Sequence, residues 1–203
     1  MGGNGPLTEA LMLDSWLREL TLCGPFPIPW KAIETKVLDE IEPGRGVLYC
    51  WTHVPLFEIP MNALVTFGRK PDWIVADPGN ITNEGNFLVP GLTTRLDAIA
   101  TDKRVLTRIR TALASGKSVA CLADAEIGGP LSSHTLHVAG LVGALVIFFW
   151  AHRQPDGTIH VTFRSAPYPI ARSPEQVKAN LEFIRDRNRE ELGALGIELP
   201  PEE

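Results

Sequence analysis

The chain has 203 residues, 44% hydrophobic and 21% charged, enough apolar surface for one sizeable core, so a single domain is expected over residues 1–203. Its formal net charge of -5, with no long basic tract, argues against a nucleic-acid binder, because phosphate binding needs dense positive charge. Cys23, Cys50 and Cys121 lack metal-ligand spacing and fit a reducing compartment, and the start MGGNGPLTEA lacks the basic and apolar stretches of a signal peptide.

In chain order, Leu7, Leu11, Leu17 and Leu20, with Trp16, recur at roughly helical spacing. They predict an amphipathic helix over residues 7–21, ended by Gly24 and Pro25. Such a helix packs on its own domain or, with the apolar CGPFPIPW behind it, rests on a membrane surface. A second helix is predicted over residues 31–41, stopping before Pro43 and Gly44, which makes residues 1–45 an N-terminal helical segment. From Gly46 onward short apolar runs alternate with helical ones, the pattern of an α/β sheet. Strands are predicted at 46–51, 72–76, 118–124, 144–150 and 159–164, with helices near 55–68, 103–115, 133–141 and 174–192. Residues 46–192 therefore read as an α/β core, a mixed and mostly parallel sheet flanked by helices. The turn Gln154-Pro155-Asp156-Gly157 makes the last two strands an antiparallel hairpin. Residues 77–92, rich in Gly, Asn and Pro, are the least regular stretch and a candidate loop over a site. The longest apolar run, residues 138–151, is too short to cross a bilayer.

The run CWTHVPLFE at residues 50–58 carries the most chemistry. It places His53 and Glu58 five apart, directly after an apolar strand. A neutral imidazole can take a proton from an attacking hydroxyl, and a carboxylate can fix its tautomer and stabilise the imidazolium. In a straight helix, positions five apart diverge by about 140°. The two side chains therefore meet only if His53 precedes the first turn. Pro55 favours that, since proline suits the first helical position and pushes the residue before it out of the helical region.

Ligands in open α/β sheets gather at the carboxyl ends of strands, and Asp124 ends a predicted strand as His53 follows another. Asp124, with Glu126 near it, could act in catalysis, order a basic residue or cap the loop that begins at Gly128. Other candidates carry less. His134 and His137 are three apart without a third ligand, so no metal site is expected. His152 and His160 read as surface or edge-strand residues, and Ser132 and Ser133 lack a nucleophile-elbow context.

Three features together resemble the late acyltransferases of lipid A biosynthesis, the bacterial lauroyl and myristoyl acyltransferases within the wider lysophospholipid acyltransferase-like group. They are His53-x4-Glu58 after a strand, the run LASGKSV at residues 113–119 leading to Asp124, and the segment from Ala139 to Phe163. The resemblance covers about residues 46–192 and implies a glycerolipid acyltransferase-like fold. It further implies transfer of a fatty acyl group from an acyl carrier protein or coenzyme A thioester to a hydroxyl on a lipid or small molecule, without a cofactor. His53 would be the general base and Glu58 its orienting partner. Asp124 matches the family's aspartate, Arg104 falls near its basic position, and Thr52 adjoins the base as a further substrate-binding candidate. Such an enzyme would be cytoplasmic, with peripheral contact at the inner membrane as the alternative setting. The stretch after Asp124 lacks the family's proline- and phenylalanine-rich segment, and its Trp-His-Arg-Arg-like ending is missing. Both weaken lipid A as the expected acceptor and leave a smaller or more soluble one open. Two alternatives stay open: a thioesterase in which the same base activates water, and a non-catalytic module that binds acyl chains or a partner.

Overall fold

The computed structural model describes residues 30–87, 89, 95–168, 170 and 173–194, together with Thr8, Leu11, Met12, Leu13, Ser15, Trp16 and Glu19. Those N-terminal residues are helical, in keeping with the leucine spacing; Leu7, Leu17, Leu20 and Cys23 lie outside the described residues.

Eight strands form one sheet: β1 (Trp30–Glu34), β2 (Val47–Trp51), β3 (Trp73–Ala76), β4 (Asn86–Phe87), β5 (Leu96–Ala100), β6 (Ser118–Leu122), β7 (Leu145–Arg153) and β8 (Ile159–Ser165). Their order is β1-β8-β7-β2-β6-β3-β5-β4. The five strands from β7 to β5 run parallel, and antiparallel pairing at β7/β8 and β5/β4 turns the edge strands the other way. The helices are α1 (Lys36–Asp39), α2 (Ile59–Thr66), α3 (Val105–Ala114), α4 (His134–Val142) and α5 (Pro174–Ala194). The fold is α/β, with helices packed on both faces of a mostly parallel sheet.

All five residues of β2, VLYCW, are buried, as a central parallel strand covered on both faces requires. Alternation along β7 shows which helix covers which face. Phe148 stacks on Phe183 of α5 at 5.8 Å between ring centroids. The next residue, Phe149, pairs with Phe163 of β8, which meets Phe67 just beyond α2. Helices α2 and α5 thus lie on opposite faces, and α4, which touches α5, shares the face of α5. On that face Trp51 of β2 stacks on Trp150 of β7 at 4.7 Å. A pair of this kind is worth about 0.5–1.5 kcal/mol beyond the area it buries.

The hairpin forms as its turn predicts: Gly157 N–H donates to the Gln154 carbonyl at 2.9 Å and Gln154 N–H to the Thr158 carbonyl at 2.7 Å. Gly116 is required by geometry. It ends α3 at a φ of 77°, and a Cβ there would lie 2.4 Å from the Gly44 carbonyl oxygen. This contact seats the loop before β6 against the loop before β2.

The predicted helix over residues 31–41 is corrected. Residues 30–34 form β1, parallel to β8, and only Lys36–Asp39 are helical. Ile33, Val37 and Ile41 suit a helical stripe, but the free edge of β8 offers backbone partners that an isolated sequence window cannot reveal. Strands β4 and β5 were not predicted either. The irregular stretch holds a 3-10 turn at Pro78–Asn80 and then β4; residue 88 and residues 90–94 lie outside the described residues. Among the described residues, no helix is long and apolar enough to cross a membrane.

Candidate active site

Parallel register builds the site. Trp51 of β2 lies opposite Leu122 of β6, and two more residues along each strand reach His53 and Asp124. Ala123 N–H extends the ladder by donating to the Trp51 carbonyl at 2.6 Å. Beyond it, Asp124 Oδ1 accepts from His53 N–H at 2.8 Å and from His53 Nδ1 at 2.9 Å, while Oδ2 lies 3.1 Å from the same backbone nitrogen. The Asp124 side chain is fully buried, whereas the imidazole keeps 31% of its surface exposed. A carboxylate can only accept, so Nδ1 carries the ring proton and Nε2 keeps the lone pair of a base. Backbone and ring are both tied to one carboxylate, which fixes the imidazole more firmly than a single contact would.

The strands also choose the place. The connection from β2 leads through α2 on one face, and that from β6 through α4 on the other. The crevice between strand ends whose connections part to opposite faces is where open α/β sheets bind ligands.

Between His53 and Glu58 the backbone makes a tight, strained turn. Leu56 has a φ of 71° although it is not glycine, and its side chain is buried. A bulky residue in the left-handed region costs about 1–3 kcal/mol, and such strain concentrates at functional sites. The packing of Leu56 holds it. Phe57 then sets its ring edge-on to His53 at 5.6 Å. Glu58 is buried and stands at the N-cap position of α2 without a side-chain capping bond.

The other predicted residues separate. The family resemblance implied Glu58 as the partner that orients His53; the carboxylate bonded to Nδ1 is Asp124. Thr52, a substrate-binding candidate, is fully buried and donates its hydroxyl to Asn188 Oδ1 of α5 at 3.2 Å; it braces the strand end. Arg104 is exposed at the N-cap position of α3, where its backbone N–H donates to Asp102 Oδ1 at 2.8 Å. It shares the carboxyl edge with His53, but β6 and β3 lie between β2 and β5. Three strand spacings of about 4.8 Å put those two ends roughly 14 Å apart, too far for direct contact with the imidazole.

Ser132 N–H donates to the Ala123 carbonyl at 2.6 Å, and its hydroxyl meets His134 Nδ1 at 2.9 Å in a local turn. His152 and His160 are cross-strand partners with ring centroids 5.7 Å apart. Among the described residues, no group of three or more His, Cys, Asp or Glu side chains could hold a metal ion.

Sequence reasoning missed Asn188 and Glu191 of α5. Glu191 has its carboxyl pushed up to about 8, chiefly by burial, with Arg187 and the Trp51 indole N–H opposing the shift and Glu190 adding to it. A signal was present for Asn188 alone: Val177, Asn180, Ile184, Asn188 and Leu192 are the buried positions of α5, so two asparagines interrupt an apolar stripe at helical spacing.

The fold and site together define an α/β protein with a histidine–aspartate pair at the carboxyl edge of a mostly parallel sheet. Compared with known proteins, the chain matches no family model and no curated protein.

Proposed function

We propose that the chain is an acyltransferase that moves a fatty acyl group from an acyl thioester to a hydroxyl acceptor, with His53 as general base. The donor would be an acyl carrier protein or coenzyme A. The observation that carries this reading is the 2.9 Å contact of His53 Nδ1 with the buried Asp124 carboxylate, which leaves Nε2 on a partly exposed ring as the proton acceptor. In this scheme Nε2 takes the proton of the acceptor hydroxyl as its oxygen attacks the thioester carbonyl. The tetrahedral intermediate collapses with loss of the thiolate, which leaves with the proton returned by the imidazolium. Asp124 holds the ring and favours its charged form during the step. An oxyanion donor, a term worth roughly 3–4 kcal/mol in other enzymes, would come from backbone or a cation at the same edge.

The spacing of His53 and Glu58 after a buried central strand supports a glycerolipid acyltransferase-like fold and a relationship to the lipid A acyltransferases. Asp124, rather than Glu58, is the orienting residue in this proposal. Arg104, roughly 14 Å along the same edge by strand spacing, suits the anionic part of an extended donor. Such a donor places the enzyme in the cytoplasm, at the inner membrane when the acceptor is a lipid.

The test is thiol release from a panel of acyl-coenzyme A and acyl-carrier thioesters, with and without hydroxyl acceptors, for wild type, His53→Ala and Glu58→Ala. Acceptor-dependent release that disappears in His53→Ala is the expected result. Release independent of acceptor would make the chain a thioesterase, and no release from any donor would overturn the enzymatic reading.

A further inference from the structure

The ladder between β2 and β6 breaks at the site itself. In a parallel ladder, a residue whose N–H donates to the neighbouring strand accepts, through its carbonyl, from the residue two further along that strand. Ala123 makes the first of these bonds, to the Trp51 carbonyl at 2.6 Å. The partner for the second is His53. Its N–H turns instead to the Asp124 carboxylate at 2.8 Å, and the Ala123 carbonyl takes the Ser132 N–H at 2.6 Å. Ser132 thus fills the place beside Ala123 that a regular sheet gives to His53. The chain loops out after Asp124 and returns, at Ser132, to the gap between strand ends that holds His53 and Asp124.

The Ser132 hydroxyl is paired with a second imidazole. Oγ lies 2.9 Å from His134 Nδ1 and accepts from the His134 backbone N–H at 3.4 Å. With that N–H on its lone pair, the hydroxyl directs its proton at Nδ1, and His134 carries its own ring proton on Nε2. Helix capping is the lesser of the two contacts: ordinary N–H···O bonds are about 2.9 Å long, and the N-cap position of α4 belongs to Ser133. Ser132 is half-buried and His134 exposed, so the pair is open to substrate as the His53 ring is. The dipole of α4 favours a negative oxygen at this end of the helix.

We propose that Ser132 is a nucleophile that carries the acyl group from donor to acceptor, with His134 as its base. The inference rests on the acyl-transfer reading and divides it into two displacements. Ser132 Oγ passes its proton to His134 Nδ1 and attacks the thioester carbonyl. The C–S bond breaks, the thiolate leaves with that proton, and the acyl group remains as an ester on Ser132. His53 Nε2 then takes the proton of the acceptor hydroxyl, whose oxygen attacks the Ser132 ester in place of the thioester. The bond from the acyl carbon to Oγ breaks, and the His53 imidazolium returns the proton to Oγ. Each displacement has its own base.

The full chain is incubated with decanoyl-coenzyme A without acceptor, quenched in acid and mapped by mass spectrometry. A second probe, an alkyl fluorophosphonate, labels an activated serine whether or not the protein accepts thioesters. Wild type is expected to carry a decanoyl ester from the first probe and a phosphonyl group from the second, both on Ser132. The ester should build up in His53→Ala, whose second displacement lacks its base. Both labels should be absent from Ser132→Ala and slowed about a hundredfold or more in His134→Gln. Labelling of Ser132 by neither probe, or labelling as fast in His134→Gln as in wild type, would overturn the proposal. So would acyl transfer by Ser132→Ala at the wild-type rate, an outcome that leaves His53 as base. Phosphonylation of Ser132 with no decanoyl ester and no thiol release would support the nucleophile and overturn the thioester donor instead.

Discussion

His53 and Asp124 stand 71 residues apart in the chain and side by side in space, because each lies two residues beyond the paired ends of adjacent parallel strands. One carboxylate receives both the backbone N–H and the ring nitrogen of the histidine. The imidazole is therefore placed by sheet register, through the paired strand ends that carry it and its carboxylate.

That relationship separates the two carboxylates of the site. Asp124→Asn is expected to keep the fold but admit the wrong imidazole tautomer, lowering the rate of the proposed acyl transfer by roughly a thousandfold or more, as similar changes do in catalytic triads. Glu58→Gln should cost less. Steady-state thiol release by both variants checks the order, and a larger loss in Glu58→Gln would return the orienting role to Glu58.

Stability should fall as pH rises through the neutral range because of Glu191. Its folded value of about 8 lies above the ordinary 4.5, so between these limits the folded protein holds a proton that the unfolded chain has released. The contribution is fully present below pH 4.5, declines across the window and is gone above about 8, with a total on the order of a few kcal/mol. Glu191→Gln should match wild type in urea unfolding near pH 4.5 and exceed it at pH 8.

Gly116→Ala is expected to destabilise the protein by about 1–3 kcal/mol, since a Cβ at positive φ is strained and here also meets the Gly44 carbonyl oxygen. Gly68→Ala has a φ of 68° but nothing within 4 Å of the added Cβ, so it should cost about 1 kcal/mol. Comparing the two urea midpoints isolates the clash from the backbone term.

Cys50 should resist thiol reagents in the folded state. It is fully buried beside Cys121, its partner in register across β2 and β6. A hydrogen bond with Cys121, and then burial, push its thiol well up, which leaves little of the reactive thiolate. Mass-mapped alkylation at pH 8 should modify Cys50 and Cys121 only after denaturant is added.

Much of this arrangement was legible in the sequence. The runs GVLYCW, SVACLAD and ALVIFFW are continuous and apolar because strands buried on both faces leave no position for water, and they correspond to β2, β6 and β7. The Gln154–Gly157 turn announced its hairpin because turn chemistry is local. Pro55 marked the end of the strand for the same reason, but it does not open the helix expected near 55–68: a turn through Leu56 at a φ of 71° intervenes, and α2 begins only at Ile59.

What the sequence by itself determined is the α/β alternation, the hairpin and the placing of His53 just past a buried strand. These follow from the periodicity of side chains and the conformational limits of single residues. The tertiary structure alone decided that residues 30–34 pair with β8 and that Asp124 meets the imidazole. It alone seated Asn188 and Glu191 behind the strand end. Each of these depends on strand order and register, which are fixed by the packing of distant segments that no local window contains.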